Sequence, residues 1–448
     1  MRYAEVAVNS PAARSQTFSY SVPDNLRVGV GWGVLVPFGA RTLQGIVTGM
    51  PPVPGVENTR DVLAAIGSGP LLTEARVELA RWLSDHYLSS PFEALALMLP
   101  PGFERQTITF VEPQQTPEDT SLLGPEERSA LDRLTPGGIE LKEIEKLLGK
   151  RKAQLAVAGL VKRGLASRRY ELAGSRVKAK KVAFLSLAVP PEEALRLSQE
   201  LRQKRAGKQA ALIDFLNGFE GRAAPAAAAM KAAGCPPASV KALAGAGVIK
   251  TETREVRRKP QALGAAEPST SLTLTSPQQA ALDAIRPGLV SKPKVFLLHG
   301  VTGSGKTEVY LRALAEAVKL GKKGIVLVPE ISLTPQTIAR FAARFPGRVA
   351  VLHSRLSLGE QYDEWRRIRA GECDVVVGAR SALFAPQPDL GLIIIDEEHE
   401  WTYKQQENSP RYHARDAAVR LAELTGASLV LGSATPSLES YHRARGGD

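Results

Sequence analysis

The amino-acid sequence predicts a multidomain α/β protein with a small β-rich barrel, a winged-helix region and a parallel-sheet lobe that carries a P-loop. Three observations lead to this fold class. Short strands between glycines occupy residues 1 to about 65, a repeated helical plan occupies residues 122–258, and apolar strands alternate with helices from residue 273 onward. The length of 448 residues agrees with about three domains, since a domain has roughly 150 residues.

The composition restricts the compartment and the class of partner. The formal charge of +12 favours a polyanionic partner, nucleic acid first, although a merely basic surface would explain the charge as well. The two cysteines, Cys235 and Cys373, are far apart and provide neither a disulfide framework nor a cysteine-based zinc site, so we expect the reducing cytoplasm. No apolar run approaches the ~18 residues of a membrane span, and we expect no membrane partner.

The barrel is predicted from the first strands of the chain. Tyr3–Val8 and Phe18–Val22 alternate apolar and polar residues, while Gly33–Pro37 and Gly45–Thr48 are short β-branched runs. Short strands in so small a unit are typical of a compact barrel. Helical periodicity follows in the next thirty or so residues, and it completes the first domain.

Two related units follow the barrel, and each has three helices, a glycine turn and a strand. Leu160–Leu165 in the first unit matches Leu243–Ile249 in the second. This plan is typical of a winged helix, which docks on DNA or on proteins. The many lysines and arginines of the first unit fit a phosphate track and a solvated face equally well. The predicted segments are a first domain 1–105, a linker 106–121, winged-helix-like unit 1 at 122–175, a basic connector 176–205, winged-helix-like unit 2 at 206–258, a second linker 259–272 and the lobe 273–448.

A nucleotide site is predicted at the start of the lobe. Residues 300–307 fit the pattern G-x-x-x-x-G-K-[ST], with the apolar strand Val295–His299 before them and a helical pattern after them. Glycines let backbone N–H groups point inward, and the helix N-terminus adds positive potential. Lys306 would reach the β- and γ-phosphates, and the Thr307 hydroxyl would bind Mg²⁺. The predicted phosphate-binding residues are Gly300, Val301, Thr302, Gly303, Ser304, Gly305, Lys306 and Thr307.

Two carboxylates at the tip of an apolar strand complete the predicted catalytic set. Asp396 and Glu397 follow Ile393–Ile395 directly. In P-loop enzymes the first carboxylate holds Mg²⁺, and the second orients or deprotonates the attacking water. His399 fits a packing role and a coupling role equally well. Gly432–Pro436 ends the next strand, where small hydroxyl side chains can reach between the acid pair and bound nucleic acid or can simply form a turn.

The order of these motifs resembles the superfamily 2 helicases, and specifically the PriA family of replication-restart helicases, over nearly the whole chain. The lobe would then be RecA-like with a DEAH-like box at Asp396–His399. This resemblance implies ATP and Mg²⁺ as cofactors, and 3′→5′ DNA unwinding that recognises stalled or abandoned replication forks and starts primosome assembly. The implied partners are forks, D-loops, single-stranded DNA, the nascent 3′ end, and primosome and single-strand-binding proteins. The implied adenine contact is Gln278, and Arg380 is an implied DNA contact.

Residues 401–416 resemble the aromatic-rich loop by which this family links DNA binding to ATP hydrolysis, and we call them the aromatic loop. The rings that would offer stacking faces are Trp401, Tyr403, Tyr412 and His413, and the cations that would contact phosphates are Lys404, Arg411 and Arg415. The polar residues between them predict that the rings are exposed.

The N-terminal motifs resemble the family's 3′-end-binding domain. Residues 17–20 and 36–39 carry this resemblance, which places Phe18, Gly39 and Arg60 near a pocket for the free 3′ end of a nascent strand. The family usually has an acidic residue where this sequence has Ser19. A serine is a weaker acceptor than a carboxylate for the terminal hydroxyl.

The chain stops soon after Gly432–Pro436, without the family's second helicase lobe and its arginine finger, and we expect it to be a fragment. Zinc is expected in the family, but its cysteine-rich insertion has no counterpart here. A single lobe lacks the transition-state cation, so we expect negligible hydrolysis by this chain alone. One rival hypothesis is a non-catalytic fork-binding scaffold that loads other replication proteins, and intact Lys306, Thr307, Asp396 and Glu397 speak against it. A promoter-binding P-loop regulator is a further rival, and the N-terminal domain speaks against it.

Overall fold

The computed structural model describes residues 2–13, 16–39, 41–103, 107–114, 123–172, 180–219, 223–258 and 273–447. The chain forms two compact units, one made of Met1–Val177 with Pro260–Asp448 and the other of Lys178–Lys259. No helix in the described parts of the chain is long and apolar enough to cross a membrane.

The N-terminal strands form a closed six-stranded barrel with the order β5-β2-β1-β4-β3-β6. The last two short strands close it, because the Val62 N–H donates to the Ser21 carbonyl and the Leu63 N–H to the Leu35 carbonyl, both at 2.9 Å. The predicted β-rich barrel is confirmed. Its strands are β1 (Arg2–Val8), β2 (Phe18–Val22), β3 (Gly33–Phe38), β4 (Arg41–Gly49), β5 (Arg60–Asp61) and β6 (Ala64–Ile66).

Two helices, α1 (Glu74–His86) and α2 (Pro91–Ala96), follow the barrel. Helix α2 begins where Ser90 and Glu93 cap each other's backbone N–H groups, which satisfies donors that the first turn leaves free. The buried face of α1 shares one hydrophobic core with the lobe.

The winged-helix-like units repeat a strand–helices–strand plan, with sheets β8-β7-β9 and β11-β10-β12. The first unit contains β7 (Thr107–Pro113), α3 (Pro125–Leu131), β8 (Ile139–Glu140), α4 (Leu141–Leu148), α5 (Lys150–Lys162) and β9 (Ala166–Leu172). The second contains β10 (Lys181–Leu187), α6 (Pro191–Gln203), α7 (Gly207–Asn217), β11 (Ala224–Pro225), α8 (Ala226–Ala233), α9 (Pro237–Gly245) and β12 (Ile249–Glu255).

Two segments expected to be irregular contain regular structure. Strand β7 lies in the predicted linker 106–121 and pairs along its length with β9. Strand β10 and helix α6 lie in the predicted connector 176–205, and β10 is the central strand of the second unit. The interpretation was wrong there because polar and basic residues flank both strands in the sequence, and each strand is stabilised by pairing with a partner elsewhere in the chain. The predicted linker 259–272 lies outside the described residues, and the domain boundaries themselves stay predictions.

The lobe is a six-stranded parallel sheet with the order β13-β18-β17-β14-β16-β15, and buried apolar clusters cover both its faces. The predicted parallel sheet is confirmed, although helices α10 and α15 were not foreseen. Its strands are β13 (Val295–His299), β14 (Lys323–Leu327), β15 (Val349–Leu352), β16 (Val375–Gly378), β17 (Leu390–Asp396) and β18 (Ser428–Ser433). Its α-helices are α10 (Ser276–Val290), α11 (Lys306–Lys319), α12 (Pro335–Arg344), α13 (Leu358–Arg369), α14 (Ala414–Thr425) and α15 (Leu438–Gly446). The 3₁₀ turns are Arg380–Phe384 and Trp401–Tyr403.

The N-terminal domain packs directly on the lobe. Arg76 of α1 is buried and donates to the carbonyl oxygens of Phe384, at 3.1 Å, and of Ala385. Burial lowers the pKa of Arg76 to about 10. The Arg369 guanidinium of α13 donates to the Pro70 carbonyl at 2.7 Å. A buried cation with backbone partners ties the two domains together, because leaving its donors unmet would cost far more than a surface bond.

Candidate functional site

The P-loop lies between β13 and α11, where its backbone takes conformations that glycine adopts readily. Gly303 and Gly305 have positive φ angles of 80° and 82°. A Cβ at Gly305 would lie 2.4 Å from the Gln278 amide nitrogen. The Gly300 N–H donates to the Ser433 carbonyl at 3.1 Å, which joins the loop to the end of β18. The loop that should cradle phosphates is therefore next to the strand end that carries Gly432–Pro436.

Lys306 is the first residue of α11 and its side chain is only 8% exposed. Its Nζ donates to the Gly300 carbonyl at 2.7 Å and lies 3.7 Å from Glu397 Oε1. The ammonium thus lies between the P-loop backbone and the acid pair. Residues from two distant motifs meet here, as the motif order predicts.

Asp396 ends β17 and is partly buried, and a tyrosine hydroxyl is hydrogen-bonded to its carboxylate. The Tyr310 hydroxyl donates to Asp396 Oδ1 at 2.9 Å, and the Tyr403 hydroxyl donates to the Asp396 backbone carbonyl at 2.7 Å. Burial raises the pKa of Asp396 above its ordinary value; the Tyr310 hydrogen bond lowers it, the Glu397 charge raises it and Lys306 lowers it. Tyr310 is a site residue that sequence reasoning missed.

Glu397 has a positive φ of 48°, a conformation that is costly for a residue with a Cβ. This turn leaves its carboxylate between Lys306 and His399, whose Nδ1 lies 3.7 Å from Glu397 Oε2. The strain is consistent with a functional position, because such conformations persist only where the surrounding structure determines them.

The next two residues connect the acid strand to its neighbours. Glu398 is 1% exposed and accepts hydrogen bonds from the Ser437 N–H at 2.7 Å and from Arg415 Nη1 at 3.1 Å. His399 Nδ1 lies 2.7 Å from Ser433 Oγ. Sequence reasoning gave Glu398 no role, yet its carboxylate anchors the starts of both following helices. The coupling role of His399 stays a prediction.

Gln278 lies beside the P-loop. Its Nε2 donates to the Ser304 carbonyl at 2.9 Å, and its Oε1 accepts from the Thr275 N–H at 2.9 Å. The amide therefore caps helix α10 and supports the loop. Its adenine contact stays a prediction.

The aromatic loop is less exposed than its polar composition suggests. Tyr403 and Tyr412 are 1% and 2% exposed, so the expectation that they offer open stacking faces is wrong, while Trp401 is 68% exposed. Burial of these rings follows from long-range contacts that local composition does not reveal. Arg411 is exposed, unlike Tyr403 and Tyr412.

Arg380 is hydrogen-bonded to the aromatic loop. Its guanidinium donates to the Thr402 carbonyl at 2.9 Å, to the Lys404 carbonyl at 2.7 Å and to the Gln405 side chain at 2.7 Å. Such a planar, multiply bonded cation fixes loop geometry. A DNA contact by Arg380 would have to coexist with these bonds, and it stays a prediction.

The N-terminal residues predicted to line a pocket do lie together. Phe18 packs edge-on against Phe38 with ring centroids 5.1 Å apart, and Arg60 Nη1 donates to the Gly39 carbonyl at 3.0 Å. Ser19 donates to the carboxylate of Glu5, its partner across the β1–β2 pair. A carboxylate therefore lies one strand away from the position where the family usually has an acid.

Comparison with known proteins agrees with this arrangement. The 3′DNA-binding domain (3′BD) family matches residues 5–100, and the DEAD/DEAH box helicase family matches residues 275–444. Replication restart protein PriA of Bacillus subtilis is 40% identical over 456 residues, covering 100% of this chain and 55% of that protein. The chain belongs to the PriA family. PriA of Synechocystis is 36% identical over 454 residues, covering 98% of this chain and 52% of that protein.

The chain thus spans about half the length of the curated PriA proteins it matches. Among solved structures, RecG bound to a three-way DNA junction aligns with 40% of the chain and 23% of that protein, at 28% identity and a TM-score of 0.31. The two matched domains are the two that pack on each other through Arg76.

Proposed function

We propose that this chain contains the DNA-end-binding and ATP-binding parts of a 3′→5′ DNA helicase that recognises stalled or abandoned replication forks and initiates primosome assembly. The observation that carries the proposal is the direct packing of a 3′DNA-binding domain on a DEAD/DEAH lobe whose Lys306 and Glu397 have come within 3.7 Å. DNA substrates would be forks, D-loops and single strands with a nascent 3′ end, in the cytoplasm. Primosome and single-strand-binding proteins would be its protein partners.

The residues of the lobe suit ATP and Mg²⁺. Lys306 would exchange its bond to the Gly300 carbonyl for a bond to the triphosphate. Space is open above Gly303, where a Cβ would meet nothing within 4 Å. Thr307 and Asp396 supply the hydroxyl and carboxylate oxygens that Mg²⁺ prefers. The ion would neutralise phosphate charge, and Glu397 is the group that would orient the attacking water or take its proton.

The scaffold alternative fits these contacts less well. A protein that only loads partners would not require a buried lysine facing a strained glutamate at the end of a buried strand. We propose nonetheless that this chain alone hydrolyses ATP negligibly, because one lobe lacks the cation that stabilises the transferring phosphoryl group, an effect of roughly 10³–10⁵ in rate.

The DNA-end proposal is tested on the purified 448-residue chain by fluorescence anisotropy. Oligonucleotides with a 3′-hydroxyl should bind more tightly than the same sequences with a 3′-phosphate, whereas adding a 5′-phosphate should change little. Phe18→Ala should remove the preference, since it removes a ring of the pocket. Equal affinities for the two 3′ ends in the unmodified chain would rule the pocket out.

A further inference from the structure

The aromatic loop rests on the N-terminal domain as well as on the lobe. The segments on either side of the tip of this loop, which we call its two limbs, pair through a β-bridge between Lys404 in the first limb and His413 in the second. Tyr87, directly after α1, contacts both limbs: its hydroxyl oxygen accepts from the His413 N–H at 3.1 Å, and Lys404 Nζ lies 4.9 Å from its ring centroid. Farther out, Ser409 Oγ donates to Glu93 of α2 at 2.9 Å. The loop therefore touches the N-terminal domain at its paired base and near its tip.

Both limbs also contact the segment that carries the acid pair, from the end of β17 at Asp396 to Glu398. The first limb reaches it through the Tyr403 hydroxyl on the Asp396 carbonyl, at 2.7 Å. Two residues after His413, the bridge residue of the second limb, Arg415 Nη1 donates to Glu398 Oε2 at 3.1 Å. Tyr87 and the acid pair are thus connected through the same two short limbs.

The Tyr87 hydroxyl has a role that its ring alone cannot fill. It accepts from the His413 N–H and donates to Asp416 Oδ2 at 3.3 Å. Burial raises the pKa of Tyr87 to about 12, so the hydroxyl keeps its proton at neutral pH and can make both bonds. Packing against α14 would be satisfied by a phenylalanine, whereas the bond to the loop backbone would not.

We infer that Tyr87 is a positioning residue that couples DNA binding by the N-terminal domain to nucleotide binding by the lobe, through the aromatic loop. This inference rests on the proposed function, because it needs both ligands. DNA that shifts or stiffens α1 would change which arrangement of the paired limbs is favoured. The change would reach the nucleotide site because the limbs are hydrogen-bonded to Asp396 and Glu398. Such coupling is reciprocal, and couplings between protein sites are typically about 5–150-fold.

The test measures the dissociation constant of a methylanthraniloyl-ATP probe with Mg²⁺ on the 448-residue chain, with and without a saturating 3′-hydroxyl oligonucleotide. In the unmodified chain the two constants should differ by about fivefold or more. Tyr87→Phe should bring their ratio to within about twofold of one, with each ligand's separate affinity kept within about twofold. Tyr362→Phe, which removes a tyrosine hydroxyl from α13, should keep the full ratio.

A ratio of one in the unmodified chain would overturn the coupling, and an unchanged ratio in Tyr87→Phe would overturn the role of Tyr87. Failure of the oligonucleotide to bind the unmodified chain would instead refute the proposed end-binding function. In that event hydrogen exchange still decides on Tyr87: the His413 amide should exchange about tenfold faster in Tyr87→Phe than in the unmodified chain. Equal exchange would overturn the inference.

Discussion

Replacement of Tyr310 by phenylalanine tests how the Tyr310 hydroxyl affects the pKa of Asp396. The change removes only the hydroxyl that donates to Asp396 Oδ1 at 2.9 Å. A hydrogen bond to a charged group contributes about 1.5–3 kcal/mol, and one pKa unit corresponds to about 1.4 kcal/mol. Because the bond favours the ionised carboxylate, its loss should raise the pKa of Asp396 by about 1–2 units beyond the increase that burial already causes.

The consequence is a displaced pH profile for nucleotide binding. Mg²⁺ requires the ionised carboxylate, so binding persists above the pKa of Asp396 and is lost as the pH falls through it. The Tyr310→Phe variant should therefore lose Mg²⁺-dependent binding of the ATP probe about 1–2 pH units higher than the unmodified chain, with similar affinity well above both values. The assay is a fluorescence titration of the 448-residue chain at several pH values, with and without Mg²⁺.

Two further variants make the test specific. Tyr403→Phe removes a hydroxyl from the Asp396 backbone carbonyl rather than from its carboxylate, so its pH profile should stay in place. Gly432→Ala should displace the Tyr310 ring, because the added Cβ would lie 1.6 Å from the Tyr310 hydroxyl oxygen, and should shift the profile in the same direction as Tyr310→Phe. Coincident profiles for Tyr310→Phe and the unmodified chain would show that the bond does not control ionisation of Asp396.

Two other variants separate the binding sites. Lys306→Ala should weaken binding of the ATP probe at least about tenfold while oligonucleotide affinity is kept, because the P-loop and the barrel are distinct sites. Lys319→Ala, at the far end of the same helix, is the control. A parallel loss of DNA binding in Lys306→Ala would contradict the separation of the two sites. Trp401→Ala should weaken binding of single-stranded DNA by about 1–3 kcal/mol and leave the probe's affinity intact, because its ring is exposed and stacking is sequence-tolerant. An unchanged DNA affinity in anisotropy titrations would show that this ring does not contact the strand.

The sequence alone determined the features that depend on residues next to one another in the chain. Apolar runs that end in Gly300–Thr307 and in Asp396–Glu397 predicted both a parallel sheet and the site at its strand ends, since such motifs are local in the chain and the carboxyl ends of parallel strands share an edge. Glycine spacing predicted the barrel in the same way. Strand β7 was missed, because polar residues flank it in the sequence and its stability comes from a partner strand far along the chain.

Only the tertiary structure decided which side chains of the site are buried and what they contact. Tyr310 lies 86 residues from Asp396, and Tyr87 lies 326 residues from His413, so no local pattern could indicate either hydrogen bond. The same reason explains Tyr403 and Tyr412, whose polar neighbours indicate exposure while distant elements bury their rings. Side-chain burial depends on contacts throughout the packed core, whereas strands and loops can be predicted from a few consecutive residues.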